Sequence, residues 1–111
     1  MKKLFILGVM AVAVSGCSNH EDDFLEIVKC NLSAQRLSQS QALYEIDAYA
    51  HKFAESSGYT PKPDDWVKIG LRGKEELKLE KLDSQETHKV MLDIYNSSTC
   101  KKMHKQPELE S

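Results

Sequence analysis

The apolar residues that follow position 22 recur at steps of three and four, which is the spacing of one face of an α-helix. Acidic side chains at Asp22 and Asp23 favour the positive end of a helix that begins there. The pattern predicts a first helix over residues 22–37, whose buried side carries Leu25, Val28 and Leu32.

A second helix is predicted to begin at Ser38, because Ser38 and Gln41 have the spacing of a capping box. Its apolar face consists of Leu43, Ile46, Ala50 and Phe53. Gly58 marks its end, since glycine readily takes the left-handed conformation that closes a helix. Residues 59–63 contain two prolines and predict an extended connector.

The segment after this connector fits two structures. Asp64 and Asp65 suit the start of a helix. Apolar and polar residues alternate over residues 67–79, which suits a hairpin that turns near Gly73. Glu, Lys and Leu dominate residues 74–82, and these are strong helix formers. The sequence favours a helix here, with the hairpin as the alternative.

A last helix is predicted to begin at Ser84, a good N-cap residue, and to end near residues 96–99. The charged segment after Cys100 predicts a mobile tail over residues 101–111. The expected fold class is mainly α, a small bundle of about four helices. Its predicted core consists of Leu25, Val28, Leu32, Leu43, Ile46, Phe53, Trp66, Leu77, Val90, Met91 and Ile94.

The N-terminal residues have the pattern of an export signal. Lys2 and Lys3 precede an apolar run over residues 4–14, and two small residues follow before Cys17. As a helix this run would span roughly 16 Å, about half of the ~30 Å hydrocarbon core that a transmembrane helix crosses. We therefore expect the segment to target the chain for export without spanning the membrane.

The sequence Val14-Ser15-Gly16-Cys17 resembles the lipobox of bacterial lipoproteins. The resemblance covers Met1 to Ser18 and implies that the Cys17 thiol receives a diacylglycerol, with acyl chains such as palmitate, before signal peptidase II cuts. It also implies that Ser18 permits transport to the outer membrane, where the protein would face the periplasm. The expected organisation is a signal peptide over 1–16, an anchor and tether over 17–23, a helical domain over 24–100 and the tail over 101–111.

The charge balance narrows the range of partners. Cleavage before Cys17 would remove two lysines and no acidic residue, so 13 basic side chains (15 − 2) would face 17 acidic ones, a net charge of −4. An acidic domain lacks the basic surface that binds phosphates, so no nucleic-acid partner is expected. Membrane attachment is expected to come from the lipid on Cys17.

Cys30 and Cys100 are the two cysteines that remain after lipidation. An even number of cysteines in an exported chain predicts a disulfide, here one that joins the beginning of the domain to its end. Two separate buried thiols are the alternative.

Candidate chemistry is sparse in this chain. Asp47, His51 and Glu55 lie four residues apart, a spacing that suits either a metal site or, as we favour, a surface ion pair. Gly70 and Gly73 indicate a turn or close helix packing, since no phosphate-loop, zinc-protease or nucleophile motif accompanies them. Neither a catalytic residue nor a metal or other cofactor is predicted.

The aromatic residues allow two interpretations. Trp66 is expected to fill the core beside Phe53, and the alternative is an exposed patch that Trp66 forms with Tyr44, Tyr49 and Tyr59. The functional hypothesis is a non-enzymatic binding or accessory module that acts on an envelope protein. Two alternatives remain: an immunity or inhibitor protein that caps a toxin or lytic enzyme, and a hydrolase or metal-dependent enzyme.

Overall fold

A computed structural model describes residues 20–110, which form a helical domain. The predicted signal peptide, Cys17 and the first part of the tether lie outside the described residues. The helices are α1 (His20–Arg36), α2 (Ser40–Ser57), α3 (Pro63–Leu77), α4 (Ser84–Tyr95) and α5 (Ser98–His104), with a 3₁₀ turn at Leu79–Lys81 between α3 and α4. Residues 20–110 contain no β-strand, so the mainly α prediction is confirmed and the hairpin alternative is wrong.

Helix α1 is the centre of the bundle and packs against each of the other four helices. It is helical already at His20, where the sequence predicted a tether, because three acidic residues in its first turn stabilise that end. Its core face combines large and small side chains, and each large one stabilises the fold by about 1.5–3 kcal/mol. The buried residues of α1 are Phe24, Leu25, Ile27, Cys30, Ser33 and Ala34.

The observed core overlaps only partly with the predicted one. Leu25, Ile46 and Met91 are buried, and most of the other predicted members are half-buried at the edge of the core. Trp66 is the exception, since 44% of its surface remains exposed, although its ring contacts the buried Phe24. Tyr95, expected on the buried side of the last helix, is buried as well, and the buried residues that the sequence pattern missed include Phe24, Ile27, Ala42, Ile69, Leu92 and Met103.

The helix ends follow ordinary capping chemistry, with two shifts from the prediction. Gly58 closes α2 in the left-handed conformation, as predicted, and its N–H donates to the Ala54 carbonyl. Ser38 does not cap α2. It is the left-handed residue that closes α1, and the N–H groups of Ser38 and Gln39 donate back to carbonyls of α1, as in a Schellman motif.

Helix α4 is capped one residue earlier than predicted. The Asp83 carboxylate accepts from the Glu86 N–H at 2.7 Å, and the Glu86 carboxylate accepts from the Asp83 N–H at 3.0 Å. This reciprocal pair is a capping box, and it takes the role that the sequence pattern gave to Ser84.

The C-terminal segment packs on the domain, in contrast to the mobile tail predicted for residues 101–111. His104 is buried, and its ring stacks on Tyr95 with the centroids 4.1 Å apart. The His104 Nδ1 accepts from the Gln106 N–H, so Nε2 carries the proton and donates to the Tyr95 carbonyl at 2.9 Å. The Asn96 side-chain amide then pairs with both backbone groups of Leu109. These contacts extend the packed domain beyond the predicted boundary at Cys100.

The sulfur atoms of Cys30 and Cys100 lie at disulfide distance, with the Cα atoms 5.4 Å apart. Both side chains are buried between α1 and α5, and 70 positions separate them in the sequence. The predicted pair is therefore placed where a bridge would connect the central helix to the last one.

Candidate functional site

The acidic and histidine residues of α2 form a surface ion pair. The His51 Nε2 lies 3.6 Å from an Asp47 carboxylate oxygen, and both side chains are exposed. Within residues 20–110 no three His, Cys, Asp or Glu side chains come together in a way that would hold a metal ion.

The predicted aromatic patch is divided in the structure. Tyr44 is 69% exposed on α2, and Tyr49 packs against the edge of the core. Tyr59 and Trp66 instead meet at the N-terminal end of α1, where both rings contact Phe24. We call the group formed by His20, Phe24, Phe53, Tyr59 and Trp66 the aromatic cluster.

Phe24 joins the members of the aromatic cluster. Its ring lies 5.3 Å from Phe53, 5.6 Å from Tyr59 and 5.5 Å from Trp66 between centroids. The edge-to-face contacts with Phe53 and Trp66 are the arrangement that aromatic quadrupoles favour. The sequence pattern did not indicate Phe24, because the repeat at three- and four-residue steps begins at Leu25 and predicts a buried face that leaves Phe24 out.

A groove of about 460 Å³ runs between α1 and α3 and ends at the 3₁₀ turn and α4. We call it the α1/α3 groove. Its lining is predominantly apolar, and charged side chains stand at its rim. The apolar part of the lining consists of Val28, Leu32, Gly70, Gly73, Leu77 and Leu79.

Two glycines of α3 line this groove. A Cβ atom at Gly73 would lie 3.5 Å from the Leu25 side chain, an ordinary packing contact, so this glycine allows α3 to lie close to α1. A Cβ atom at Gly70 would meet nothing within 4 Å. Glycine inside a helix costs roughly 0.5–1 kcal/mol relative to alanine, and packing against neighbouring residues does not explain this cost at Gly70. The absence of a side chain there leaves the groove open.

Ion pairs connect α1 and α3, the two helices that line the groove, and fix their relative position. Lys29 of α1 contacts the Glu76 carboxylate of α3 at 3.1 Å and Glu26 of its own helix at 3.0 Å. Burial lowers the pKa of Lys29, but the hydrogen bonds and charges of Glu26 and Glu76 outweigh it, so the pKa is raised above 10.5. Lys29 therefore stays charged throughout the neutral range.

Arg72 forms the second connection between α1 and α3. Its guanidinium contacts Asp22 at 2.8 Å and Glu21 at 2.9 Å. The hydrogen bonds to Asp22 and Glu21 raise the pKa of Arg72 above its usual value. Exposed pairs of this kind contribute little stability, but they fix which residues of the two helices face each other.

The rim of the groove offers cationic groups to a ligand. Arg36 forms no ion pair with another residue in the part of the chain that the structure describes, and Lys74 is held only loosely by Glu80 at 4.0 Å. An apolar floor between these two side chains suits an apolar side chain with a carboxylate beside it. Finding this site from sequence would have required the packing of α3 on α1, which the ambiguous pattern over 67–79 did not provide.

The chain matches no protein-family model. It also has no significant match among curated proteins or solved structures. None of the helices between His20 and Glu110 combines the length and the apolar character that crossing a bilayer requires.

Proposed function

We propose that the mature chain is a non-enzymatic binding module of the bacterial envelope, anchored through a lipid on Cys17 to the outer membrane and facing the periplasm. Its α1/α3 groove would receive an apolar side chain of an envelope protein. The observation that carries the binding role is the open space over Gly70, which is maintained at a cost in helix stability. The anchor is supported by the lipobox resemblance.

The geometry of the groove supports a protein partner of particular chemistry. A volume of about 460 Å³ is large enough for one or two large apolar side chains. Arg36 and Lys74 at the rim would pair with a carboxylate near such an anchor residue. The expected partner segment is therefore a short amphipathic element with apolar anchors and an acidic neighbour.

Photocrosslinking in intact cells tests this role. The full chain and its Gly70 variants are expressed with a photoreactive amino acid at position 87, in place of Thr87, which lines the groove. The cells are then irradiated. We expect a specific adduct with an envelope protein. Gly70→Leu should reduce the adduct yield about tenfold, because a filled groove cannot accept the partner's anchor side chain, and anchor side chains of an interface contribute about 2 kcal/mol or more.

Gly70→Ala is the matched control, because it adds one methyl group and leaves most of the groove open. It should retain the adduct and raise the free energy of unfolding by about 0.5–1 kcal/mol through helix propensity. Equal adduct yields for the Leu and Ala variants would contradict a binding role for the groove. Thermal unfolding of both proteins checks that the fold is preserved.

An inhibitor or immunity role is the second candidate, and the net charge of −4 expected for the mature chain supports it. An acidic domain would be steered towards a basic toxin or lytic enzyme. A neighbouring gene for an exported toxin and loss of survival on deletion of this chain would favour this role. Unchanged survival of the deletion strain when it is exposed to that toxin would contradict it.

A further inference from the structure

Exposed apolar residues are concentrated on one helix of the described domain. Three of the four large exposed apolar side chains belong to α3, namely Trp66, Val67 and Leu71, which are 44%, 62% and 60% exposed. Val67 and Leu71 are one helical turn apart and share one side of the helix, and Trp66 flanks that side, about 100° around the helix axis from Val67. We call this surface the α3 face. Single exposed apolar residues are common on soluble proteins, but a group on one face marks a contact surface.

The α3 face lies at the end of the domain where the anchor would be attached. Trp66 packs on Phe24, in the second turn of α1, and Tyr59 lies beside the His20 ring at 5.4 Å between centroids. Only three residue steps separate His20 from Cys17. Even a fully extended chain covers about 11 Å in three steps. A lipid on Cys17 would therefore hold this end of the domain close to the bilayer.

The chemistry of the α3 face suits the headgroup region of a bilayer. Trp and Tyr are enriched at this depth because their rings are apolar and their N–H or O–H groups remain hydrated. Lys62 and Lys68 are exposed on the same helix or at its start and can reach lipid phosphates. The nearby carboxylates of Glu21 and Asp22 are paired with Arg72, which reduces their repulsion from an anionic surface.

We propose that the α3 face is a membrane-contact surface that rests on the bilayer to which Cys17 is anchored. The inference depends on the anchor in the proposed function. A few apolar side chains bind a membrane weakly, but the tether raises their local concentration to the mM range, which is enough to fix an orientation. The part of the α1/α3 groove lined by residues 28–36 lies roughly 12–24 Å along α1 from His20, away from the end of the helix where the anchor would be attached.

The only tryptophan of the chain reports this contact directly. The protein is expressed as the full chain, extracted from membranes and reconstituted into vesicles of phosphatidylethanolamine and phosphatidylglycerol. We expect Trp66 emission to shift to shorter wavelength, and to fall about twofold when the lipids carry bromine near the headgroup end of the acyl chains, as for an interfacial tryptophan. Val67→Glu with Leu71→Glu, both at exposed positions, should abolish the shift and the quenching.

A matched control carries the tryptophan elsewhere. Trp66→Phe combined with Tyr44→Trp places the single tryptophan on exposed α2, outside the aromatic cluster, and its emission should not respond to bromine. Equal quenching at the two positions, or no quenching at Trp66 in protein that floats with the vesicles, would overturn the proposal. Shielding of Trp66 only after a partner protein is added would also overturn it, since the face would then bind protein.

A second preparation distinguishes failure of the Cys17 anchor from failure of the contact between the α3 face and the membrane. If the extracted protein carries no lipid, the proposed anchor is wrong. The free Cys17 thiol is then coupled to a maleimide phospholipid in the same vesicles, which restores the short tether. Quenching of Trp66 in that preparation supports the membrane-contact surface, and its absence contradicts it.

Discussion

Replacing Cys30 and Cys100 together with alanine is expected to lower the free energy of unfolding by about 4 kcal/mol, because a crosslink across 70 positions reduces the conformational entropy of the unfolded chain. For a domain of this size that corresponds to a fall in Tm on the order of 20 °C. The pair joins α1, which contacts every other helix, to α5, so its loss would also loosen the contacts of Met103 and His104 with the core.

Thermal unfolding of the oxidised protein, of the reduced protein and of the double variant measures this effect. Reduction should destabilise the parent chain and leave the double variant unchanged. Cys17→Ser is the matched control, because it removes a cysteine and leaves the pair intact. Two thiols that are freely alkylated in protein taken directly from cells, without prior reduction, would show that the bridge does not form.

Cys17→Ser is expected to release the protein from the membrane completely. Serine has no thiol for thioether formation, so the variant would carry no diacylglycerol. The weak contacts of the α3 face would not hold the domain without the tether, because their effective concentration would fall with it. Fractionation and fatty-acid labelling of cells that express the parent and variant chains measure the change.

Ser18→Asp provides the positional control for this experiment. The lipobox resemblance implies that this variant is still lipidated but is retained in the inner membrane. It should therefore label with fatty acid and change only the membrane in which it is found. A Cys17→Ser protein that remains labelled and membrane-bound would show that the anchor lies elsewhere.

The helical class of this domain could be predicted from sequence because the apolar residues of α1 and α2 repeat at helical spacing. For the segment around Gly73 the Glu, Lys and Leu content favoured a helix, as observed, but the alternating pattern left a hairpin open as the alternative. Tertiary contacts decide it: α3 packs on α1 through Gly73 and Leu25, and Lys29 and Arg72 tie the two helices together. An alternating sequence forms a helix here because that packing outweighs its local preference.

The errors in the predicted core have physical causes of the same kind. Trp66 is expected in the interior because tryptophan is large and apolar, but on α3 its ring contacts Phe24 while 44% of its surface remains exposed. His104 was assigned to a mobile tail because charge surrounds it in the sequence. It is buried because Tyr95 supplies both a stacking surface and a carbonyl acceptor nine positions earlier. Such partners are visible only in three dimensions.

The α1/α3 groove shows how far the candidate site could be predicted from the sequence. The Gly70 and Gly73 spacing was visible in the sequence, and packing was the expected explanation for it. Packing accounts for Gly73 but not for Gly70, which faces open space. The difference depends on a few ångströms between α1 and α3, so no pattern of residue types would have separated the two glycines.

The intact mass of the protein extracted from bacterial membranes tests the central claim, anchoring through Cys17, most directly. If Cys17 is the anchor, the protein begins at Cys17, lacks residues 1–16 and carries the mass of a diacylglyceryl group on that residue. Digestion should place the added mass on the N-terminal peptide and leave Cys30 and Cys100 linked. A chain that begins at another residue, or an unmodified Cys17, would contradict anchoring through Cys17.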